Sequence, residues 1–508
     1  MTARPSPLPS GISASAATMV GLAIAVLWAW LVRQPLWHTD LWGHLAYGRL
    51  IVENRGLPAL EPFLEHSVDT PLVDSAWLSQ VIGFVVIRWS GVAGLQLLFA
   101  TLVTACAVLT MVPVCWPSRV GDGRAAAHPR AALAGAAVFL AAGWQQLEII
   151  RPQLAGLVCF TALAAVVARP GKSRWRTTAV IVLMVSWANL HGSFVVGWLL
   201  LAAQAAGRIC DRWRRTGCWS SVRRDRVVWR RCRHLVLGVS ATLLTPHGLR
   251  LPVAVWEISR HPNLRDVIEW QPLQFDQPQA RAMLVASVLI GLLAVVSRRR
   301  GRSADWLLLI GLGVSSLWTS RMLAWWAAVA GGVVAFHAAG MGCRRRHSSI
   351  RPGRFRPAIT GLVVWGLAVG TAPATWSALD SAEPLVARRP AVSAATPVEV
   401  ARWLVEHPPP GMVLAAYEWG DFLLWQGPVD LRVLVASHAH LIPPAVWQDY
   451  MAMIRLETGW RERLSKYDVK TVVLDRQRQA GLLEMLAEEE DWRRDYRDER
   501  CEVWSRNP

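Results

Sequence analysis

The stretch "AWLSQVIGFVVIRW", residues 76–89, is apolar enough to resemble a membrane span, yet it carries Ser79, Gln80 and Arg88. Its length is about 14 residues, where a bilayer core asks for roughly 20. Every later segment depends on its reading, because one additional crossing inverts each loop that follows. The loops themselves decide. Basic residues gather in blocks between apolar runs: "RPGKSRWR" (169–176), "RICDRWRRTGCWSSVRRDRVVWRRCRH" (208–234), "RRRGR" (298–302) and "CRRRHSSIRPGRFR" (343–356). Short basic connectors face the cytoplasm. Counting 76–89 as a span would place all four outside, so the stretch reads as an amphipathic helix lying in the interface.

The remaining apolar runs read as about eleven membrane helices, near 15–34, 92–116, 131–148, 152–169, 177–190, 193–208, 235–246, 280–297, 303–319, 322–341 and 357–376. The first follows a short polar tail, lacks a small-residue cleavage site and reads as an uncleaved signal anchor. Composition agrees with a polytopic membrane protein: 53% hydrophobic residues and 18% charged, where a soluble chain is nearer a quarter charged. The 29 tryptophans suit a chain with many membrane–water interfaces. With the amino terminus inside, the basic blocks are cytoplasmic and the acidic connectors 35–91 and 246–279 are external. The net charge of +18 therefore expresses topology. It also favours anionic lipid headgroups, whereas no folded basic module accompanies it as nucleic-acid binding requires. The 8 cysteines fit no zinc template.

Residues 1–376 thus form a transmembrane domain, 377–394 a linker and 395–508 an extracytoplasmic domain of small-domain size. The last part alternates: helix at 397–407, strand at 412–417, strand at 432–437, helix at 444–467, strand at 470–475 and helix at 482–490. This is an α/β layer pattern without a Gly-rich phosphate loop.

Directly after the first membrane helix comes "WHTDLWGHLAYGRLIVENRG" (37–56). On a helix Asp40, His44 and Tyr47 stand at i, i+4 and i+7 and share one face. A carboxylate beside an imidazole at a half-dehydrated interface suits proton abstraction; a carboxylate there also suits capping the helix that follows. Other external helix ends carry Arg151 and Gln153 ("EIIRPQLAG", 148–156), Asn189 and His191 ("SWANLHGSF", 186–194), His247 and Arg250 ("TPHGLR", 245–250), Glu269 ("IEW", 268–270) and Arg321 ("SRM", 320–322). Arginine at such depth is costly unless paired or facing water, and its planar fork matches phosphate. Together they describe one outward-facing polar cavity.

The ordered set "HTDLWGHLAYG" (38–48), "RPQ" (151–153), "WANLHGSF" (187–194), "TPHGLR", "IEW", "SR" and "YEWGDFLLW" (417–425) resembles the C-type glycosyltransferases (GT-C superfamily) and, more closely, a group of bacterial membrane proteins related to them. The likeness covers nearly the whole chain. Departures are His38 at the first acidic position of the loop motif, Gly43 for a tryptophan, Thr245 for an asparagine, and "VLVASHAH" (433–440) where relatives carry an I-D-G-R type turn. The resemblance implies an inverting transferase at the outer face of the cytoplasmic membrane. It would move a sugar from a polyprenyl phosphate to a lipid or glycan acceptor of the envelope. Asp40 and His44 are then the catalytic pair, and Arg151, Gln153, Asn189, His191, Glu269 and Arg321 bind substrate. No cofactor is expected. Loss of one loop carboxylate leaves a divalent metal weakly supported, since such ions prefer several oxygen ligands. The alternatives are a flippase or transporter for lipid-linked glycans, disfavoured by the lack of matching halves, and a scaffold for envelope assembly.

Overall fold

The computed structural model describes residues 14–36, 39–115, 128–169, 174–297, 299–341, 366 and 391–507. The expected span at 357–376 and nearly all of the linker lie outside them, as does His38. The longer helices come first: α1 (Ala14–Leu31), α3 (Trp77–Cys115), α4 (Pro129–Leu147), α5 (Pro152–Ala168), α6 (Arg174–Leu190), α7 (Phe194–Thr216), α9 (Arg226–Ala241), α11 (Pro278–Val296), α12 (Ser303–Trp318) and α13 (Leu323–Met341). Shorter helices α2 (Leu41–Asn54), α8 (Trp219–Arg223) and α10 (Arg250–Ile258) lie between them. Four helical stretches, in α3, α7, α11 and α13 with the turn before it, are long and apolar enough to cross a membrane. Their outward faces are greasy: Val285, Val288, Leu292 and Val295 of α11 and Ile310, Val314 and Trp318 of α12 are all more than half exposed. A water-soluble protein would not leave such contiguous apolar surface.

The break in α3 falls at Gly91, whose φ of 58° and ψ of −160° are non-helical. It separates residues 77–90 from the run that follows, where the sequence ends one helix and begins another. At α9 the structure departs from expectation. The helix starts nine residues before the expected 235 because Asp225 caps it, its carboxylate accepting from Val227 N at 2.7 Å. It ends at Ala241, ahead of Pro246.

The C-terminal part contains α14 (Val398–Glu406), α15 (Tyr417–Gln426), α16 (Pro444–Ile454), α17 (Trp460–Lys466) and α18 (Ala480–Glu488) around a sheet of β1 (Met412–Ala415), β2 (Val469–Asp475), β3 (Trp492–Arg497) and β4 (Cys501–Arg506). The order is β1-β2-β4-β3, with β1 parallel to β2 and the other pairs antiparallel. The expected helix over 444–467 is two helices, divided where Leu456 and Gly459 adopt positive φ. The expected strand over 432–437 is not a strand. Val433 bridges Val413 once, and the chain then leaves the sheet edge.

This part is clamped onto the loops that follow α1, α2 and α10. Leu36 N donates to Ala391 O at 2.8 Å and Ser393 N to Leu36 O at 2.7 Å, joining the exit of α1 to the start of the C-terminal part. Arg432 pairs with Glu65, and Asn263 Nδ2 donates to Ala439 O and Ile442 O at 2.8 Å each. α15 packs on α2, with Phe422 edge-on to Trp42 at 5.0 Å between ring centroids. Gly43 makes this approach possible, for a Cβ there would stand 2.7 Å from the carboxylate of Asp421.

Candidate active site

Four distant segments meet at one end of the bundle. Asp40 precedes α2, Arg151 precedes α5, and Glu269 and Arg321 occupy the short turns Ile268–Trp270 and Ser320–Met322. Asp40 makes no side-chain capping bond to α2. Its Oδ2 instead faces Arg151 Nη1 at 3.5 Å. The same Nη1 donates to Glu269 Oε2, while Nη2 donates to Gln146 Oε1 at 3.2 Å. The second oxygen of Glu269 accepts from Arg321 Nη1 at 2.7 Å, and the Arg321 guanidinium lies 4.9 Å from the Trp270 ring centroid. Side-chain hydroxyls lock the two turns together: Thr319 Oγ1 and Ser320 Oγ donate to Glu269 O at 3.2 and 3.0 Å. One carboxylate is thus gripped by two guanidiniums, one through each oxygen.

Burial and charge set the protonation states. Burial pushes the Asp40 carboxyl upward, but Arg151, with a Thr39 hydrogen bond and Arg321, outweighs it and holds the group well below the usual carboxylate range. Burial, then His438, pushes the His44 imidazole down to about 3 against the opposing pull of Asp40. Burial and Arg321 likewise hold His191 well below the ordinary histidine value. At neutral pH Asp40 is therefore ionised, and His44 and His191 are neutral.

The other expected residues are placed as follows. His44 Nδ1 meets Gln80 Nε2 at 3.3 Å. Gln153 is buried, and neither of its amide atoms has a partner among the described residues. Asn189 ties the scaffold: its amide donates to Val185 O at 2.9 Å and Leu244 O at 3.0 Å and accepts from Trp77 Nε1 at 3.1 Å. His191 Nδ1 pairs with Ser193 Oγ at 2.8 Å. Tyr47 donates to Glu61 and turns away from Asp40's partners. Asp40, Arg151, Glu269 and Arg321 come together; Asn189 serves the walls. Among the described residues no three His, Cys, Asp or Glu side chains converge into a group that could hold a metal ion.

Sequence reasoning missed four residues. Gln80 and Asp74 lie behind His44, and from the C-terminal part His438 lies against it with Asp421 beside His438. The His438 and His44 rings meet edge to face at 4.9 Å, and His438 Nδ1 is 4.0 Å from Asp421 Oδ1. The signal was available in two departures, Gly43 and "VLVASHAH": they flank Asp421, one making room for it and the other supplying its imidazole.

A cavity of about 250 Å³ adjoins this cluster. Its walls come from α2, α3 and α5, including Leu45, Ile82, Leu95, Leu98 and Val158, and its polar end is formed by His44, Gln80 and Arg151.

No protein-family model matches the chain, and no curated protein matches it in sequence. Solved structures do. ArnT from Cupriavidus metallidurans in the apo state is 15% identical with a TM-score of 0.54, over 97% of this chain and 98% of that one. The archaeal oligosaccharyltransferase AglB from Archaeoglobus fulgidus, in complex with an inhibitory peptide and a dolichol-phosphate, is 12% identical with a TM-score of 0.52, over 90% and 69%. The apo form of the Archaeoglobus fulgidus oligosaccharyltransferase gives 11%, 0.52, 91% and 70%. The chain shares its fold with ArnT and with the archaeal oligosaccharyltransferase. At these identities the GT-C likeness is one of architecture, and it matches the resemblance drawn from the motifs.

Proposed function

We propose that this chain is a GT-C glycosyltransferase that takes a sugar from a polyprenyl phosphate and transfers it, with inversion, to an envelope acceptor at the outer face of the cytoplasmic membrane. The observation that carries this reading is the apolar cavity ending at Arg151 and His44. Such a slot suits a lipid tail whose anionic head must be held by cations at the membrane surface. Glu269 supports it further, since its two oxygens occupy two guanidiniums as two oxygens of a phosphate would. The full proposal places about eleven spans in residues 1–376, a cytoplasmic amino terminus, and residues 395–508 outside as the roof of the pocket.

In this mechanism Asp40 removes the proton of the acceptor hydroxyl. That oxygen attacks the anomeric carbon, the carbon–phosphate oxygen bond breaks, and polyprenyl phosphate leaves with the bonding pair. Arg151 and Arg321 stabilise the charge gained by the phosphate. Without donor, Arg151 holds Asp40 as a weak base. A phosphate competing for Arg151 loosens that pair, so the base strengthens when there is a donor to use. Asn189 ties α6 to Trp77 and Leu244 beside the site.

The test is donor consumption by the purified protein, offered a panel of lipid-phosphate sugars with membrane-extract acceptors. Asp40→Asn keeps a hydrogen bond to Arg151 but loses the base, and turnover should fall about 10²–10⁴-fold. Equal turnover in the variant removes Asp40 from this role. Consumption of no donor by the unaltered protein favours the transporter reading.

A further inference from the structure

Behind the candidate base lies a short relay that no part of this mechanism has yet used. Asp74 Oδ1 accepts from the backbone N–H of Ala76 at 2.9 Å and from Gln80 Nε2 at 3.1 Å. A carboxylate only accepts, so Gln80 must turn its NH2 toward Asp74, and rotating the amide would set oxygen against oxygen. The same NH2 has a second hydrogen, and it meets His44 Nδ1 at 3.3 Å. Nδ1 therefore accepts. In a neutral imidazole the proton is then on Nε2.

We propose that Asp74 and Gln80 lock His44 as the Nε2–H tautomer, making it a fixed hydrogen-bond donor to an oxygen of the phosphate or sugar in the adjoining cavity rather than a proton acceptor. Gln80 is the positioning residue, and the assignment rests on reading that cavity as the lipid-phosphate-sugar site.

Three further observations support it. His44 lines the cavity beside Arg151, and its Nε2 has no partner among the described residues. The lock is built into the backbone: Gly48 of α2 lies against the Gln80 carbonyl so closely that a Cβ there would collide with it, bringing Gln80 under His44. It is also held at a cost. Gln80 Oε1 and Asp74 Oδ2 are buried without partners among the described residues, a penalty of the kind that ordinary packing removes. The groups facing the ring are Asp40, Arg151, His191, Arg321, His438 and His440, with Asp74 acting through Gln80. Arginines outnumber the single facing carboxylate, which opposes a charged imidazole.

The experiment is solid-state NMR of the full-length protein carrying isotope-labelled histidine, with His44→Gln identifying the resonance. The expected result is Nδ1 unprotonated and Nε2 protonated at about pH 7 to 8, above the value of about 6 to which burial raises Asp74, so that its carboxylate is ionised. A ring protonated on Nδ1, or charged at neutral pH, overturns the proposal without reference to any variant. Gln80→Glu replaces donor by acceptor and should draw the proton to Nδ1. It should lower kcat/KM about 10²-fold, the scale of removing one donor from a charge-stabilising site. Gln80→Met removes the lock without reversing it and should give both tautomers with a smaller loss. An unchanged tautomer in Gln80→Glu also overturns the proposal. The two readings fail separately. A ring in the Nε2–H form with no lipid-phosphate sugar consumed sinks the glycosyl transfer and leaves the lock standing. Donor turnover with the opposite tautomer sinks the lock alone.

Discussion

Both ends of the helical bundle carry ion networks, and they are built by opposite rules. At the end holding the basic loops, Arg208 and Arg212 pair with Asp225, and Arg302 Nε meets Asp305 Oδ2 at 2.9 Å on the same turn. These partners lie 17 residues apart or fewer, and their arginines are 27–41% exposed. At the other end, Asp40, Arg151, Glu269 and Arg321 come from four separate loops, and the Arg151 side chain is only 4% exposed. A neighbour pair needs only a turn to form. A buried pair between remote loops forms only if the whole chain has folded, and it pays heavy desolvation for no clear gain in stability. Networks of the second sort mark sites.

The comparison can be broken by removing cations one at a time. The largest effect is expected for Arg151→Met, which leaves Asp40 and Glu269 facing each other without their shared cation. Removing one member of a buried pair costs about 3–5 kcal/mol, and donor turnover should be lost by about 10³-fold; thermal unfolding in detergent and the donor assay read the two separately. A stable, active Arg151→Met would place the network among ordinary surface charges. Arg321→Lys keeps the charge but loses the planar fork and the face of Trp270, and the KM for donor should rise about tenfold. Gly43→Ala sharpens the boundary between the two halves of the site. Its Cβ would crowd the Asp421 carboxylate, and an overpacked contact of that kind costs about 1–3 kcal/mol; limited proteolysis should release the C-terminal part sooner. The smallest change belongs to Arg208→Ala, no more than about 1 kcal/mol, with turnover unaltered. A large loss there would erase the distinction between the two ends.

Much of this was legible in the sequence because membrane helices announce themselves by length and apolar composition, and because arginine and glutamate at helix ends have few places to go. The approach of Arg151, Glu269 and Arg321 follows from that pressure alone. Local partners were harder to see. Nothing in "WANLHGSF" says that Asn189 spends its amide on Val185, Leu244 and Trp77, which needs knowledge of what packs beside it. The C-terminal part misled in two ways. "VLVA" alternates weakly and is buried on all sides, so Val433 makes one bridge while the chain turns away to deliver His438. Conversely "WRRDYRDERCEVWSR" (492–506), to which no element was assigned from its sequence, forms β3 and β4, with β3 at the sheet edge where arginines discourage further pairing. Gln80 was hidden by its own segment, which was judged for hydrophobic length and not for what one amide does inside it.

The pairing of Gly43 with Asp421 also has a consequence for how the molecule is made. Helix α2 emerges from the ribosome early and α15 among the last elements, so a half-synthesised chain holds Asp40 and His44 with nothing over them. The pocket is therefore complete only once α15 has come to rest on α2, late in the making of the chain.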